Sequence, residues 1–255
     1  MFQRGSSNYI CNVSTPFQFK QFKVHQDQCA MKIGTDGVLL GAWCTLSHEP
    51  KNILDIGAGT GIIALQLAQR SSASTIDALE IDGLAHEQCT HNFEHSSWGD
   101  RLFCYHGSVQ EFASEMDLKY DLIVSNPPFF KAPKNSGSQT EKTSQERAIA
   151  RFTDTLPFEH LVVCAAHLLS VNGVFATIVP YQDTMSFIEI AKQSKLFNSR
   201  ICKVRGTKTS KVKRCLLEFS PHQSKTISQE LTIEISRHHY TQEYKNLVRD
   251  FYVKM

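Results

Sequence analysis

The sequence has no long hydrophobic run and no closely spaced pair of cysteines. Among its 255 residues, no apolar stretch approaches the roughly 18 residues that a membrane-spanning helix needs. Residues 1–16 lack the apolar core of a signal peptide. The eight cysteines are at least thirteen residues apart, which excludes the CxxC pairs of zinc ribbons and redox motifs. We therefore expect a cytoplasmic protein with reduced thiols and no bound metal.

Acidic and basic residues are unevenly distributed along the chain. Residues 1–128 contain 8 Lys and Arg against 14 Asp and Glu, whereas residues 129–255 contain 19 against 11. The corresponding net charges of −6 and +8 sum to the overall +2. A basic second half favours a polyanionic partner that binds there. Scatter of these charges over a solvated surface is the alternative.

Strand and helix patterns alternate from residue 52 onward. Strand patterns cover 52–56, 75–81, 101–106, 120–125, 173–180 and 231–236. Helical patterns cover 62–70, 83–95, 158–170, 184–196 and 241–253. Residues 200–204 and 213–220 predict an antiparallel hairpin near the C-terminus. This order predicts an α/β fold with a mostly parallel sheet and helices on both faces.

The segments outside this alternating core differ from it in composition. Residues 1–15 are polar and predict a loose tail, and residues 17–24 interleave apolar and basic side chains as a short strand or hairpin does. Residues 131–146 contain few apolar side chains and predict a mobile loop. The 41% hydrophobic content and the chain length support one domain. We expect a single domain that comprises the tail, an N-terminal extension at 16–50 and a core at 51–255.

A glycine turn follows the first core strand. Residues 55–61 read DIGAGTG, so that Gly57, Gly59 and Gly61 stand between a strand and a helix. Glycine permits a tight turn and a close approach of a ligand to the backbone, and the helix presents its free N–H groups toward that ligand. Glu80 ends the second strand, where a carboxylate accepts both hydroxyls of a ribose. The spacing therefore predicts a ligand that contains a nucleoside.

Two ligands fit this turn, and Asp55 favours one of them. A dinucleotide usually requires GxGxxG, which places its pyrophosphate at a helix N-terminus, whereas this turn reads GxGxG. S-adenosylmethionine has no phosphate, and its ammonium and sulfonium groups are positively charged. An acidic residue beside the turn stabilises these charges and repels a pyrophosphate. The residues favour S-adenosylmethionine, with NAD or a turn that binds no ligand as the alternatives.

The strand at 120–125 is followed by Asn126, Pro127, Pro128 and Phe129. The two prolines lack N–H groups, which leaves the Asn126 side-chain oxygen and the Pro127 carbonyl as acceptors. Such a pair holds the two hydrogens of a planar amino group and directs its lone pair at a methyl donor. Phe129 offers a flat surface on which a flipped base stacks. The tetrapeptide predicts amino-group methylation without a strong base, and a rigid turn is the alternative.

Three motifs together resemble a known family. The order of DIGAGTG, LEID at 79–82 and SNPPFF resembles class I methyltransferases that use S-adenosylmethionine and methylate amino groups. The segments FKQFKVHQDQCAMKIGTDGVLLGAW, ARFTDTLPFEHL and EYKNLVRDFYVKM resemble bacterial tRNA1(Val) (adenine-N6)-methyltransferases, so that the resemblance spans about residues 16–255. It implies a Rossmann-like fold with a seven-stranded, mostly parallel sheet and a C-terminal antiparallel hairpin. It also implies methylation of N6 of adenosine 37 in the anticodon loop of a valine tRNA.

The same resemblance implies roles for individual residues. Asp55, Gly57 and Gly59 would line the methionine end of the cofactor, and Glu80 would hold its ribose. The KxGTD segment at 32–36 would close over the cofactor. Ser108 replaces an acidic residue that many relatives direct at the adenine, so either its hydroxyl or the Val109 N–H is expected there. The expected cofactor-binding residues are Lys32, Gly34, Thr35, Asp36, Asp55, Gly57, Gly59, Gly61, Glu80, Ile81, Ser108 and Val109.

The last residue of the tetrapeptide departs from the family pattern. Phe129 replaces a tyrosine, which keeps the stacking surface and removes a hydroxyl. NPPF also occurs in guanine-N2 methyltransferases of ribosomal RNA, and NPPY occurs in methyltransferases that act on protein glutamines. The former usually carry a second domain and the latter a longer helical domain before the glycine turn, which disfavours both for this chain. These two substrates are nevertheless the alternative to tRNA adenine.

Basic residues are concentrated near the predicted hairpin. Residues 200–214 contain seven basic and no acidic side chains. The tip RGTKTSKVKR mixes lysines with hydroxyl groups that contact phosphates without reading sequence. Further basic residues lie in or just beyond the loop after the tetrapeptide, and a solvated edge or structural ion pairs are the alternative to RNA binding. The expected tRNA contacts are Lys131, Lys134, Arg147, Arg151, Arg205, Lys208, Lys211, Lys213 and Arg214.

Overall fold

A computed structural model describes residues 15–128 and 156–254 of the chain. The predicted loop at 131–146 and nearly all of the predicted tail lie outside the described residues. Five predicted site residues lie outside them as well: Phe129, Lys131, Lys134, Arg147 and Arg151. Within the described ranges, no helix is long and apolar enough to cross a membrane.

Helices and strands alternate through the described part of residues 52–207, as the sequence predicts. The strands are β1 (Phe17–Gln18), β2 (Lys23–Val24), β3 (Asn52–Ile56), β4 (Thr75–Glu80), β5 (Leu102–His106), β6 (Tyr120–Ser125), β7 (Leu169–Pro180), β8 (Phe197–Thr207), β9 (Val212–Ser220), β10 (Ile227–Ser236) and β11 (His239–Tyr240). The helices are α1 (Thr35–Trp43), α2 (Ile62–Arg70), α3 (Gly83–Glu94), α4 (Val109–Glu115), α5 (Phe158–Leu168), α6 (Thr184–Gln193) and α7 (Gln242–Val248). A 3₁₀ turn at Tyr181–Asp183 leads directly into α6.

Nine of the described strands form one sheet, in the order β11-β10-β8-β9-β7-β6-β3-β4-β5. β9 is antiparallel to its neighbours β7 and β8, whereas β3 to β7 pair in parallel. The predicted plan of seven strands with an antiparallel C-terminal hairpin is confirmed by β3 to β9. β10 extends the sheet by pairing in parallel with β8, where the sequence predicts an extra strand.

Several predicted boundaries are wrong, and tertiary contacts explain two of them. β7 begins at Leu169 and not at residue 173, since Leu169 already pairs with β6 ahead of an irregularity in the ladder. α7 ends at Val248 and does not reach residue 253. Phe251 is buried, and Tyr252 forms an isolated bridge with Phe19. The C-terminal segment thereby holds the β1–β2 hairpin against the core.

Two hydrophobic clusters cover the two faces of the large sheet. Helices α1, α2, α3 and α7 bury one face through side chains such as Leu39, Leu65 and Val248. Helices α4, α5 and α6 bury the other face, where Leu161 and Phe187 are fully buried. The prediction of helices on both faces is confirmed. Because β3 to β7 are parallel, their carboxyl ends lie at one edge of the sheet, and the loops that follow these strands meet there.

Candidate active site

The glycine turn between β3 and α2 contains three residues in the left-handed region. Gly57, Gly59 and Gly61 have φ angles of 73°, 55° and 78°, which residues with a Cβ rarely adopt. A Cβ on Gly57 or Gly59 would meet no atom within 4 Å. A Cβ on Gly61 would stand 2.5 Å from Phe93 and 2.8 Å from the Cys89 sulfur. The first two glycines therefore leave room for a ligand, whereas Gly61 permits close packing against α3.

The Glu80 carboxylate is fixed at the carboxyl end of β4. Its Oε2 accepts a hydrogen bond from the Gly59 N–H at 2.7 Å, and its Oε1 accepts one from the Asp82 N–H at 2.9 Å. Asp82 in turn caps α3 by accepting from the Ala85 N–H at 2.8 Å. Glu80 is buried but lines the cleft described below. Its remaining lone pairs are oriented before any ligand binds.

Asp55 lies fully buried beneath the glycine turn. Its Oδ2 accepts a hydrogen bond from the Ala64 N–H in α2 at 3.2 Å, and its Oδ1 has no partner among the described residues. Burial raises the pKa of Asp55 to about 7, the Ala64 hydrogen bond opposes this rise, and the nearby Glu80 adds to it. A positive charge near this carboxyl would favour its ionised form.

Asn126 follows β6 and carries a buried acceptor with no partner. Ser125, at the end of β6, donates a hydrogen bond to the Ile56 carbonyl at 2.9 Å, which joins β6 to the end of β3. The Oδ1 of Asn126 is buried and has no hydrogen-bond partner within residues 15–128 and 156–254. Pro127 and Pro128 contribute no N–H donor. This part of the site therefore offers acceptors to a ligand that brings donors.

These elements enclose a cleft of about 840 Å³ at the carboxyl ends of β3, β4 and β6. Nine predicted site residues line it: Gly57, Gly59, Glu80, Ile81, Ser108, Val109, Asn126, Pro127 and Pro128. Six predicted cofactor residues are described but do not line it: Lys32, Gly34, Thr35, Asp36, Asp55 and Gly61. The sequence interpretation missed several lining residues, including Cys29, Ala30, Met31, Asp82, Gln110 and Leu156. Among these six residues, Asp82 alone has a signal in the sequence, because it lies within the LEID motif.

The N-terminal extension reaches the cleft through residues 29–31, just before the predicted KxGTD segment. Asn92 in α3 accepts from the His25 N–H at 2.8 Å and donates to the His25 carbonyl at 2.9 Å. Gln88, one turn earlier, accepts from the Gln28 N–H at 3.2 Å. Burial raises the pKa of the Cys29 thiol to about 12, with Glu80 contributing, so this cysteine is a neutral lining group.

Ser108 caps α4 at the opposite wall of the cleft. Its hydroxyl donates to the Glu111 carboxylate at 2.7 Å, and its side-chain oxygen accepts from the Glu111 N–H at 3.2 Å. These hydrogen bonds lower the pKa of Glu111. The Ser108 side chain is therefore occupied by the capping box. The first N–H groups of α4, beginning with that of Val109, are the donors left for a ligand.

Two of the predicted RNA contacts form ion pairs, and three are exposed lysines. Arg205 pairs with Glu230 at 3.0 Å, and Arg214 pairs with Asp36 in the first turn of α1 at 2.8 Å. The exposed lysines are Lys208, Lys211 and Lys213. Because β8 runs parallel to β7, the β8–β9 tip lies at the same edge of the sheet as the cleft.

Comparisons with known proteins identify the same family that the sequence motifs resemble. The family model "Methyltransferase small domain" matches residues 36–156. A tRNA1(Val) (adenine(37)-N6)-methyltransferase from Christiangramia forsetii is 55% identical over 243 residues, which cover 94% of this chain and 98% of the relative. A protein with the same name from Flavobacterium psychrophilum is 52% identical, with 94% of this chain and 100% of the relative covered. Another from Trichodesmium erythraeum is 44% identical, with 93% of this chain and 98% of the relative covered.

The fold is similar to that of a solved methyltransferase. The crystal structure of a predicted O-methyltransferase from Agrobacterium tumefaciens superimposes with a TM-score of 0.64 at 16% identity, covering 85% of this chain and 96% of that one. This likeness concerns the fold alone, whereas the curated relatives match the chain over nearly its whole length at high identity. The chain therefore belongs to the tRNA1(Val) (adenine(37)-N6)-methyltransferase family.

Proposed function

We propose that this protein transfers a methyl group from S-adenosylmethionine to N6 of adenosine 37 in tRNA1(Val). The observation that carries the proposal is the buried, unpartnered Oδ1 of Asn126 at the wall of the cleft. An isolated acceptor of this kind is unfavourable unless a ligand donates to it. An exocyclic amine supplies such a donor. The names of the full-length relatives support tRNA adenosine as the source of that amine.

The residues of the cleft fit S-adenosylmethionine. The open space above Gly57 and Gly59 would accommodate its methionine end. The buried, unpartnered Oδ1 of Asp55, which does not line the cleft, would act from beneath the turn as a counter-charge for its ammonium group. Glu80 would hold the ribose hydroxyls, and the Val109 N–H at the start of α4 would bind the adenine. The extension of residues 16–50 closes this side of the site through the lining segment at 29–31. When bound, the cofactor supplies an electrophilic methyl group.

The chain's own residues position the amine and supply no strong base. Asn126 Oδ1 and the Pro127 carbonyl accept hydrogen bonds from the two N–H groups of the amine. These contacts draw the nitrogen toward a tetrahedral geometry and free its lone pair. The nitrogen loses its proton only after the methyl group has been transferred, when that proton is acidic enough to pass to solvent water. Phe129 remains our predicted stacking surface for the base and lies outside the described residues. A cytoplasmic location remains a prediction as well.

The test is methyl transfer to unmodified tRNA1(Val) by Asn126→Ala. We expect the rate of transfer to fall by about 10²–10³-fold, the usual loss when one preorganised polar contact is removed. The affinity for S-adenosylmethionine, measured by calorimetry, should stay within two-fold. Gln242→Ala removes an exposed amide on α7, away from the cleft, and serves as the matched control with an unchanged rate. Full activity in Asn126→Ala would refute the assigned mechanism.

A further inference from the structure

An exposed aromatic side chain stands beside the cleft, on the next strand of the sheet. The β6–β7 ladder pairs Ser125 with Thr177, three positions before Pro128 and Pro180 respectively. β7 continues from Thr177 to Pro180, so Tyr181 follows at the carboxyl end of the strand next to β6, and adjacent strands are about 4.8 Å apart. Tyr181 is not among the residues that line the cleft. It occupies a neighbouring position at the same edge of the sheet.

The Tyr181 ring is exposed on a fixed support. Its side chain is 47% exposed, and that of Met185, four residues further along, is 74% exposed. The Tyr181 side chain makes no hydrogen bond or ring contact with the described residues. Beneath it, the buried Thr184 hydroxyl donates to the Pro180 carbonyl at 3.4 Å, and Phe187 anchors α6 in the core. The backbone that carries the ring is therefore fixed at both sides, by the Pro180 contact and by α6.

Basic side chains flank this aromatic surface. The first residues of β9 pair with the last residues of β7, so that β9 begins next to Tyr181. Pro180, just before Tyr181, pairs with Arg214, and the adjoining residue Lys213 is exposed. Exposed aromatic rings beside exposed lysines are typical of surfaces that bind single-stranded nucleic acid.

We propose that Tyr181, supported by Met185, forms a second base-stacking site that binds a nucleobase adjacent to the target adenosine. The proposal rests on the proposed function, because it requires a single-stranded RNA loop as substrate. When the target base leaves its stack, its neighbour loses a stacking partner. Tyr181 replaces that partner, and Lys213 contacts the adjoining phosphate. The site thereby determines which nucleotide of the loop stands before Asn126.

A double-mutant cycle between protein and RNA tests this site. The RNA is a tRNA1(Val) assembled by ligation, in which each nucleotide that flanks adenosine 37 is made abasic in turn. We expect Tyr181→Ala to weaken RNA binding by about ten-fold and Tyr181→Phe to bind like the unmodified protein, because phenylalanine retains the ring. One of the two abasic positions should weaken binding to the unmodified protein by about ten-fold and cause no further loss in Tyr181→Ala.

Phe103→Ala is the matched control, since Phe103 is 45% exposed on β5, the last strand of the sheet and four places from β7. Its RNA binding should be unchanged, and the S-adenosylmethionine affinity of every variant should match that of the unmodified protein. If Tyr181→Ala misfolds, Tyr181→Leu removes the ring while keeping apolar bulk. Unaltered RNA binding in the ring-less variant, or additive losses at both abasic positions, overturns the site. Failure of the proposed function is distinguishable, because the unmodified protein would then not methylate adenosine 37.

Discussion

At the residue scale, two of the buried oxygen atoms without a partner belong to predicted site residues. Asn126 Oδ1 and Asp55 Oδ1 have no partners within the described ranges, and each such atom costs about 1–3 kcal/mol of stability until a ligand donates to it. The sequence predicts both residues, because GxGxG and NPPF are local patterns. It does not predict that Gly61 serves packing, since the contact with Phe93 depends on where α3 lies in the fold.

The raised pKa of Asp55 predicts opposite effects of pH on stability and on cofactor affinity. Between pH 4 and 7 the folded protein retains a proton that the unfolded chain has lost, so the contribution of Asp55 to stability falls as the pH rises through this window. Binding of a cation favours the ionised carboxylate. The affinity for S-adenosylmethionine should therefore rise roughly ten-fold from pH 6 to pH 8, as measured by calorimetry, for a group that titrates near 7.

Asp55→Asn should abolish this pH dependence and flatten the dependence of melting temperature on pH. The matched control is Asp77→Asn, because burial also raises the pKa of Asp77, whose Oδ2 instead accepts from the Tyr120 hydroxyl in the core. This control should lose stability and keep the pH dependence of cofactor affinity. An affinity that stays constant from pH 6 to pH 8 in the unmodified protein would show that Asp55 does not sense the cofactor charge.

At the element scale, α3 positions the N-terminal extension over the cleft. The sequence predicts that the extension reaches the site, but it assigns the contact to residues 32–36, whereas residues 29–31 line the cleft. The offset arises from Asn92 and Gln88, which hold the backbone of His25 and Gln28 from more than fifty residues away. Local patterns contain no information about such long-range hydrogen bonds.

Asn92→Ala should therefore loosen both the extension and the glycine turn. It removes hydrogen bonds to the His25 backbone and to the Thr60 carbonyl and leaves these groups unpaired, which should lower the free energy of unfolding by about 1–3 kcal/mol. The KM for S-adenosylmethionine should rise several-fold. Gln69→Ala removes a helix amide that donates to the Asp250 carbonyl away from the cleft, and it should leave this KM unchanged. Equal KM values in both variants would contradict a positioning role for α3.

At the scale of the whole molecule, the cleft and the basic hairpin share one edge of the sheet. The sequence predicts each feature separately, because the α/β alternation and the charge asymmetry are visible in one dimension. It does not predict which basic residues are available, since the ion pairs of Arg205 and Arg214 join segments far apart in the chain. The order and direction of the strands bring the two features together.

Replacing two exposed lysines of the hairpin tip should weaken tRNA binding in a salt-dependent way. Lys208→Ala with Lys211→Ala should reduce the slope of log affinity against log salt by about 0.7–0.9 for each phosphate that the protein no longer neutralises. Lys192 and Lys225 are exposed near the opposite edge of the sheet, and their double alanine variant is the charge-matched control. An equal reduction of the slope in both double variants would indicate nonspecific attraction and would contradict binding at the hairpin tip.

The most direct measurement is methyl transfer from labelled S-adenosylmethionine to two tRNA1(Val) transcripts, one with adenosine and one with guanosine at position 37, followed by nucleoside analysis. The proposed function predicts N6-methyladenosine at position 37 of the first transcript and no label in the second. N2-methylguanosine in the second transcript, or label found only in ribosomal RNA or in protein when these are offered instead, would contradict the assignment of the substrate.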